Sequence, residues 1–164
     1  MTLIIRQARI DDLDASYAVE IACFPADEAA SKANMQKRLE LFPHGYLVAE
    51  KDKIVLGHIN SGATNKDDIS DEALKAMIGH EAEGQNLVIF SVAVHPDYQK
   101  QGVASALLRT YIQLQQNKAK NILLLCKENL LGFYSGFGFE NRGRSTSTHG
   151  GATWYEMCLK LDKK

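Results

Sequence analysis

Six consecutive residues, Gln99-Lys100-Gln101-Gly102-Val103-Ala104, are the part of this chain best suited to holding a charged ligand. Amide and ammonium donors from Gln99, Lys100 and Gln101 accompany two small residues, Gly102 and Ala104. They stand where a β-branched apolar run, residues 86–94, gives way to a helical periodicity. Gly102 lets backbone approach a ligand closely, Ala104 keeps the first helical turn low, and the unpaired N–H groups of that turn face outward. A helix start of this kind is an anion cradle, and phosphate suits it. Across residues 99–127 five basic side chains (Lys100, Arg109, Lys118, Lys120 and Lys127) occur without one Asp or Glu, which favours the same ligand. The same residues also fit an ordinary helix start with a solvated lysine. Two nucleotide-binding classes fall away, because the turn lacks GxGxxG and no Gly-Lys-Ser/Thr follows it.

Other chemistry-bearing residues give weaker signals. The spaced glycines between Gly132 and Gly138 sit at the end of a short helix, so Gly138 reads as a cap and turn. Cys23, Cys126 and Cys158 are far apart and lack CxxC spacing, so they read as small buried hydrophobes. Cys126, inside Leu123-Leu124-Leu125-Cys126, reads as core rather than as an acyl-carrying nucleophile. His80-Glu81-Ala82-Glu83 is not HExxH, and no metal site is assigned. His95 closes a strand, while His58, His80 and His149 have no partner that the sequence identifies. Residues 66–83 carry six carboxylates (Asp67, Asp68, Asp71, Glu72, Glu81 and Glu83) against Lys66 and Lys75. A solvated loop accounts for that run, and an acidic rim that concentrates amines does so as well.

These residues must be positioned by one core, since 164 residues suffice for a single domain and fall short of two ordinary ones. With 45% hydrophobic and 24% charged residues the chain is an ordinary soluble globular protein, and its apolar runs are only strand-length, so no membrane partner is expected. The opening MTLIIRQARIDD lacks the pattern of a secretion signal, which makes cytoplasmic residence the default. A net charge of -1 argues against nucleic acid. Leu3 to Ala8 reads as a strand, followed by a helix capped by Asp11 with Leu13, Tyr17, Ile21 and Phe24 at helical spacing. Ser31 caps a second helix, and Gly45 to Glu50 with Ile54 to Ser61 form a hairpin around Lys51-Asp52-Lys53. A partly helical stretch from Ser70 to Ile78 precedes the buried strand Asn86 to Val94. Then come a helix with Val103, Leu107, Tyr111 and Leu114 on one face, a parallel strand Ile122 to Leu125, a short helix around Leu130 to Phe137, and strands near Phe139 to Arg142 and Thr153 to Lys160. The expectation is a single-domain α/β fold in the order β-α-α-β-β-β-α-β-α-β-β. Its sheet is mixed and mostly antiparallel, with a splayed parallel central pair and flanking helices.

Gln99, Gly102 and Ala104 after a strand ending Val-Ala-Val-His-Pro, with Phe133, Tyr134, Phe137, Gly138 and Phe139 some thirty residues on, resemble the GNAT superfamily of acyl-CoA-dependent N-acyltransferases. Ser-Val-Ala-Val-His-Pro-Asp-Tyr-Gln-Lys-Gln-Gly, Leu-Leu-Cys-Lys-Glu-Asn-Leu and the closing Trp-Tyr-Glu-Met-Cys-Leu look like its serotonin (arylalkylamine) N-acetyltransferase branch. The resemblance implies that Gln99, Lys100, Gln101, Gly102, Val103 and Ala104 hold the pyrophosphate of acetyl-CoA. It places pantetheine along Ser91, Val92, Ala93 and Val94, and gives Tyr134 the proton that the departing thiolate takes up. A phenol of pKa about 10 is protonated at neutral pH and can do this, although a lone tyrosine between Phe133 and Phe137 also fits as packing. The branch carries two histidines on the central strand; Val88 and Phe90 stand there in this chain, so that relay does not carry over. The loop Pro25-Ala26-Asp27-Glu28 falls where the branch covers its amine pocket, which makes Glu28 the first candidate to orient the ammonium and help remove its proton. The implied function is acetyl transfer to a primary amine of a small molecule, arylalkylamine-like or polyamine-like, by direct attack without a metal, in a monomer or homodimer. A protein or peptide amine as acceptor, and a non-catalytic acyl-CoA-binding module, are the alternatives.

Overall fold

The computed structural model describes residues 2–70 and 72–161. Its elements are strand β1 (Ile4–Gln7), helices α1 (Leu13–Cys23) and α2 (Lys32–Leu41), strands β2 (Leu47–Lys51), β3 (Ile54–Thr64) and β4 (Asn86–Val94), helix α3 (Val103–Gln115), strand β5 (Asn121–Cys126), the short helix α4 (Leu131–Ser135), and strands β6 (Glu140–Arg144) and β7 (Tyr155–Lys160). This is the order read from the sequence. The strands hydrogen-bond in the order β1-β2-β3-β4-β5-β7-β6. β4 and β5 run parallel from Asn86↔Asn121 to Ile89↔Leu124, whereas the β1–β2, β2–β3, β5–β7 and β6–β7 pairs are antiparallel. Among the described residues no helix is long and apolar enough to cross a membrane.

The chain divides into two compact units, one running to Ser61 and including Ser91–Leu114, the other comprising Gly62–Phe90 and the chain from Gln115. In the first, Ala8, Leu13, Met35, Leu39, Tyr46 and Val48 form a closed apolar cluster. The β2–β3 hairpin turns at Asp52 (φ 54°) and Lys53 (φ 65°), a left-handed pair whose twist matches that of the strands. Ser31 caps α2 as expected, its Oγ accepting from the Asn34 N–H at 3.1 Å. The expected side-chain cap of α1 by Asp11 is not made: Asp12 stands at the N-cap position without a cap bond, and its carboxylate instead accepts from the Arg9 N–H at 2.7 Å across a single 3-10 turn and is held by Arg6 with bonds of 2.8 and 2.9 Å.

Two periodicity readings are corrected. Helix α1 buries Leu13, Ser16, Val19 and Glu20, and Ile21 is 53% exposed, because the inward face is selected by polar partners and not by its aliphatic stripe. Along α3 the buried line steps by four through Val103, Leu107, Tyr111 and Gln115, which leaves Leu114 outside.

In the second unit Ile69, Leu74, Val88, Leu123 and Cys158 form the apolar cluster, with Phe90 and Leu125 packed against it. The partly helical stretch expected from Ser70 to Ile78 holds one 3-10 helix, Glu72–Ala76, which ends where Met77 (φ 64°) and Gly79 (φ 84°) reverse the backbone. Asp71, one of the six carboxylates noted above, lies outside the described residues. The three cysteines are free, with Cys126 and Cys158 buried. Burial pushes the Cys126 thiol up to about 11, the property of a core cysteine and not of a nucleophile.

Candidate active site

The cradle residues lie in the first unit, beyond the end of β4. The His95 N–H donates to the Leu56 carbonyl at 2.8 Å, and the Gln99 side-chain amide donates to the Val94 carbonyl at 2.9 Å. Gln99, expected to hold pyrophosphate through its side chain, thus has its NH2 group engaged in tying the turn to the strand end. Lys100 (φ 63°) and Gly102 (φ 82°) then adopt left-handed backbone, which is favourable only for the glycine. The first helical bond of α3 runs from the Ala106 N–H to the Gly102 carbonyl, at 3.0 Å. The amides of Val103, Ala104 and Ser105 precede it and are the unpaired donors of a helix start. A β-carbon on Gly102 would meet nothing within 4 Å, so the space over the turn is open. Gly57 on β3 brings this helix close: its β-carbon would lie 3.0 Å from the Ala93 carbonyl, 3.2 Å from Leu107 and 3.4 Å from Val103. Val103 is buried, so its contribution to a ligand is its amide alone, whereas Lys100 and Gln101 are exposed. An open, donor-lined turn with a flanking ammonium fits a pyrophosphate.

Along β4, Ser91, Ala93 and Val94 are buried and Val92 is half-buried. The Ser91 hydroxyl leads to a feature that sequence reasoning missed. It donates to Oε1 of Glu20 at 2.7 Å, and the same oxygen lies 3.0 Å from Nε2 of His58. His58 Nδ1 is 2.8 Å from the Ser16 hydroxyl, which is 2.6 Å from the Tyr46 hydroxyl. The second Glu20 oxygen accepts from the Ala30 N–H at 2.9 Å. His58 and Ser16 are wholly buried, and Glu20 is 3% exposed. Burial alone would push the Glu20 carboxyl up, but its bonds to His58, Ala30 and Ser91 outweigh that and hold it below the ordinary carboxylate range. Arg38 of α2, also buried, donates to Asn60 Oδ1 at 3.0 Å; burial lowers its pKa to about 10 and the charge of Glu20 acts in the opposite direction. The only traces in the sequence are Ser16 and Glu20 four residues apart on a helix, and His58 with Asn60 two apart on a strand.

Glu28 is half-buried in the tight turn after α1, where its N–H and that of Ala29 both donate to the Pro25 carbonyl at 2.9 Å; Asp27 is exposed. His95 accepts from the Asp97 N–H in its own turn, and His80 accepts from the Ala63 N–H of β3.

Tyr134 belongs to the second unit. Its ring is buried edge-on against Phe133 and Phe139, at centroid distances of 5.1 and 5.7 Å. Burial first, and the nearby Cys126 second, raise its phenol above the ordinary tyrosine value, so it remains a proton donor at neutral pH. The Phe137 and Phe139 amides both return to the Tyr134 carbonyl, and Gly138 (φ 97°) makes the turn, as its spacing predicted. In this unit Ser70, Glu72, Thr146, Ser147, Thr148 and His149 line an open polar cavity of about 420 Å³.

Comparison with known proteins gives the family. The model of the acetyltransferase (GNAT) family matches residues 11–139, and the chain belongs to that family. It is 29% identical to the serotonin N-acetyltransferase of Mesocricetus auratus over 122 residues, 73% of this chain and 54% of that protein. It is 27% identical to the probable hydrolase YhcX of Bacillus subtilis (strain 168) over 114 residues, 64% of this chain and 22% of that protein. The matches therefore span about half and about a fifth of these relatives. The crystal structure of the loading GNATL domain of CurA from Lyngbya majuscula superposes with a TM-score of 0.87 at 14% identity, covering 98% of both chains.

Proposed function

We propose that this protein transfers the acetyl group of acetyl-CoA to the primary amine of a small molecule by direct attack. The observation that carries the reading is the open, amide-lined turn from Lys100 to Ala104 at the end of β4, in a chain of the acetyltransferase family. In this reading the amides of Gln101 to Ala104 and the Lys100 ammonium hold the pyrophosphate. The backbone of Ser91 to Val94 aligns pantetheine, which leaves the Ser91 side chain to Glu20. The Gln99 amide keeps the turn on the strand end.

The amine must reach the thioester as its free base, because an alkylammonium of pKa about 10 is only about one part in a thousand neutral at pH 7. Glu28 orients the ammonium and takes up its proton through water. When the tetrahedral centre collapses, the Tyr134 hydroxyl protonates the departing sulfur, the nitrogen loses its second proton to solvent, and solvent returns a proton to Tyr134. No metal enters the scheme, the protein works in the cytoplasm, and it acts as a monomer or homodimer. The half-buried turn at Glu28 favours a covered small-molecule pocket over a peptide groove. A panel of arylalkylamines, polyamines and N-terminal peptides, read by release of free CoA thiol, tests the proposal. Turnover of small amines supports it, turnover of peptides alone moves the acceptor to protein amines, and acetyl-CoA binding without any turnover reduces the protein to a binding module.

A further inference from the structure

A buried carboxylate is costly unless every lone pair has a donor. Glu20 is 3% exposed, and its three donors come from three parts of the chain. Oε1 takes the Ser91 hydroxyl of β4 and the Nε2 edge of His58 of β3, at 2.7 and 3.0 Å. Oε2 takes the main-chain N–H of Ala30, at 2.9 Å. Ala30 is two residues beyond Glu28, in the connection between α1 and α2. Glu20 thus brings that connection and the Ser91 strand onto one carboxylate. The other groups facing the pair are Ser16 of α1, which continues from His58 to Tyr46, and Arg38 of α2, whose charge balances that of Glu20. Arg38 and Glu20 are buried groups of opposite charge, and with donors on both of its oxygens Glu20 has the geometry of a fixed anchor.

We infer that Glu20 is a positioning residue, which pins the loop carrying Glu28 to the strand that aligns the thioester and thereby sets the affinity for the amine. The inference rests on the acetyl-transfer reading for its functional half and on geometry alone for its structural half. Because Ser91 meets Glu20 through its side chain, the strand backbone stays available to acetyl-CoA, and the loss of Glu20 acts on the acceptor selectively. Glutamine keeps the shape but removes the charge, so its amide either turns N–H toward Ala30 or forces the His58 tautomer and the Ser91 hydroxyl to reverse their roles.

The experiment measures Glu20→Gln and the milder Ser91→Ala beside the parent, by amide hydrogen exchange, acetyl-CoA calorimetry and steady-state kinetics with the best amine. In Glu20→Gln the Ala30 amide should exchange at least tenfold faster. KM for the amine should rise about tenfold or more, while acetyl-CoA affinity stays within about twofold. Ser91→Ala, which keeps the Ala30 bond and removes one donor of three, should shift the same quantities in the same direction by less. Unchanged Ala30 exchange in both variants overturns the anchor. Faster exchange with an unchanged amine KM, or with equal losses for amine and acetyl-CoA, overturns its role in acceptor binding. If the parent acetylates no amine, the acetyl-transfer reading fails, and the anchor is decided by the exchange rates of Ala30 alone. Should Glu20→Gln not fold, Ser91→Ala decides by the same readouts.

Discussion

Replacing Tyr134 by phenylalanine removes a single oxygen from a ring that keeps its edge-on contacts with Phe133 at 5.1 Å and Phe139 at 5.7 Å. No hydrogen bond to the hydroxyl is made among the described residues, so the fold loses no bond and its stability should move by less than about 0.5 kcal/mol. Catalysis should behave differently. A positioned general acid contributes about 10² to 10⁴ in rate, equivalent to about 2.7 to 5.5 kcal/mol on the barrier. Tyr134→Phe should therefore lower the single-turnover rate of CoA thiol release at least a hundredfold, with acetyl-CoA affinity and melting temperature unchanged. Burial raises the phenol above its ordinary value of about 10, so the parent should show no loss of proton donation across the neutral range. Single turnover under saturating substrates isolates the chemical step from product release. An unaltered rate there would remove Tyr134 from the mechanism, and a fall in rate matched by a fall in melting temperature would assign it to packing instead.

Gly102→Glu places a carboxylate over an open helix start and should abolish acetyl-CoA binding in calorimetry. Gly102→Ala, which meets no atom within 4 Å, should cost only about 1 kcal/mol of stability for the left-handed φ and retain binding. Glu28→Gln should lower kcat/KM for amines most strongly near neutral pH and recover at high pH, where free amine is abundant; a superimposable pH-rate profile eliminates it. Asp12 is held below the ordinary carboxylate range first by its bond to Arg6, so its contribution is complete above the unfolded pKa of about 4 and lost as pH falls through the lower folded value. The parent's melting temperature should drop below about pH 4, and Arg6→Met should be less stable at pH 6 with a shallower acid drop. Parallel curves for the two proteins would refute the linkage.

The order of elements was legible because each had a local signature: a β-branched run at Asn86 to Val94, a cap at Ser31, a turn at Asp52-Lys53, and a glycine where α3 begins. The turn from Gln99 to Ala104, where β4 gives way to α3, was legible for the same reason, being contiguous in sequence. What escaped the reading is non-local. Ile21 belongs to the aliphatic stripe of α1 and lies outside, since Ser16 and Glu20 find partners inward on strands 38 to 71 residues away, and no periodicity reports such pairing. His58 looked solitary because each of its partners comes from another element. Gln99 was assigned to a ligand because its amide fits one, whereas Val94, five residues back, claims that amide first. Asp12 rather than Asp11 closes the turn before α1, because Arg6 of β1 holds its carboxylate.

The hydroxyl, imidazole and carboxylate chain from Tyr46 through Ser16 and His58 to Glu20 and Ser91 also restricts which folds the chain can mistake for its own. Apolar cores accept many arrangements of similar volume, so a helix such as α1 could slide or rotate against a greasy sheet at small cost. Rotation of α1 by one residue, about 100°, would carry Glu20 away from all three donors and leave a charge buried without partners, a loss of about 3–5 kcal/mol. That penalty is comparable with the net stability of a small protein. Misdocked α1 is thus no near-degenerate competitor of the native state, and the choice of a unique topology falls to five hydrogen-bonded side chains, of which only Tyr46 also belongs to the apolar cluster.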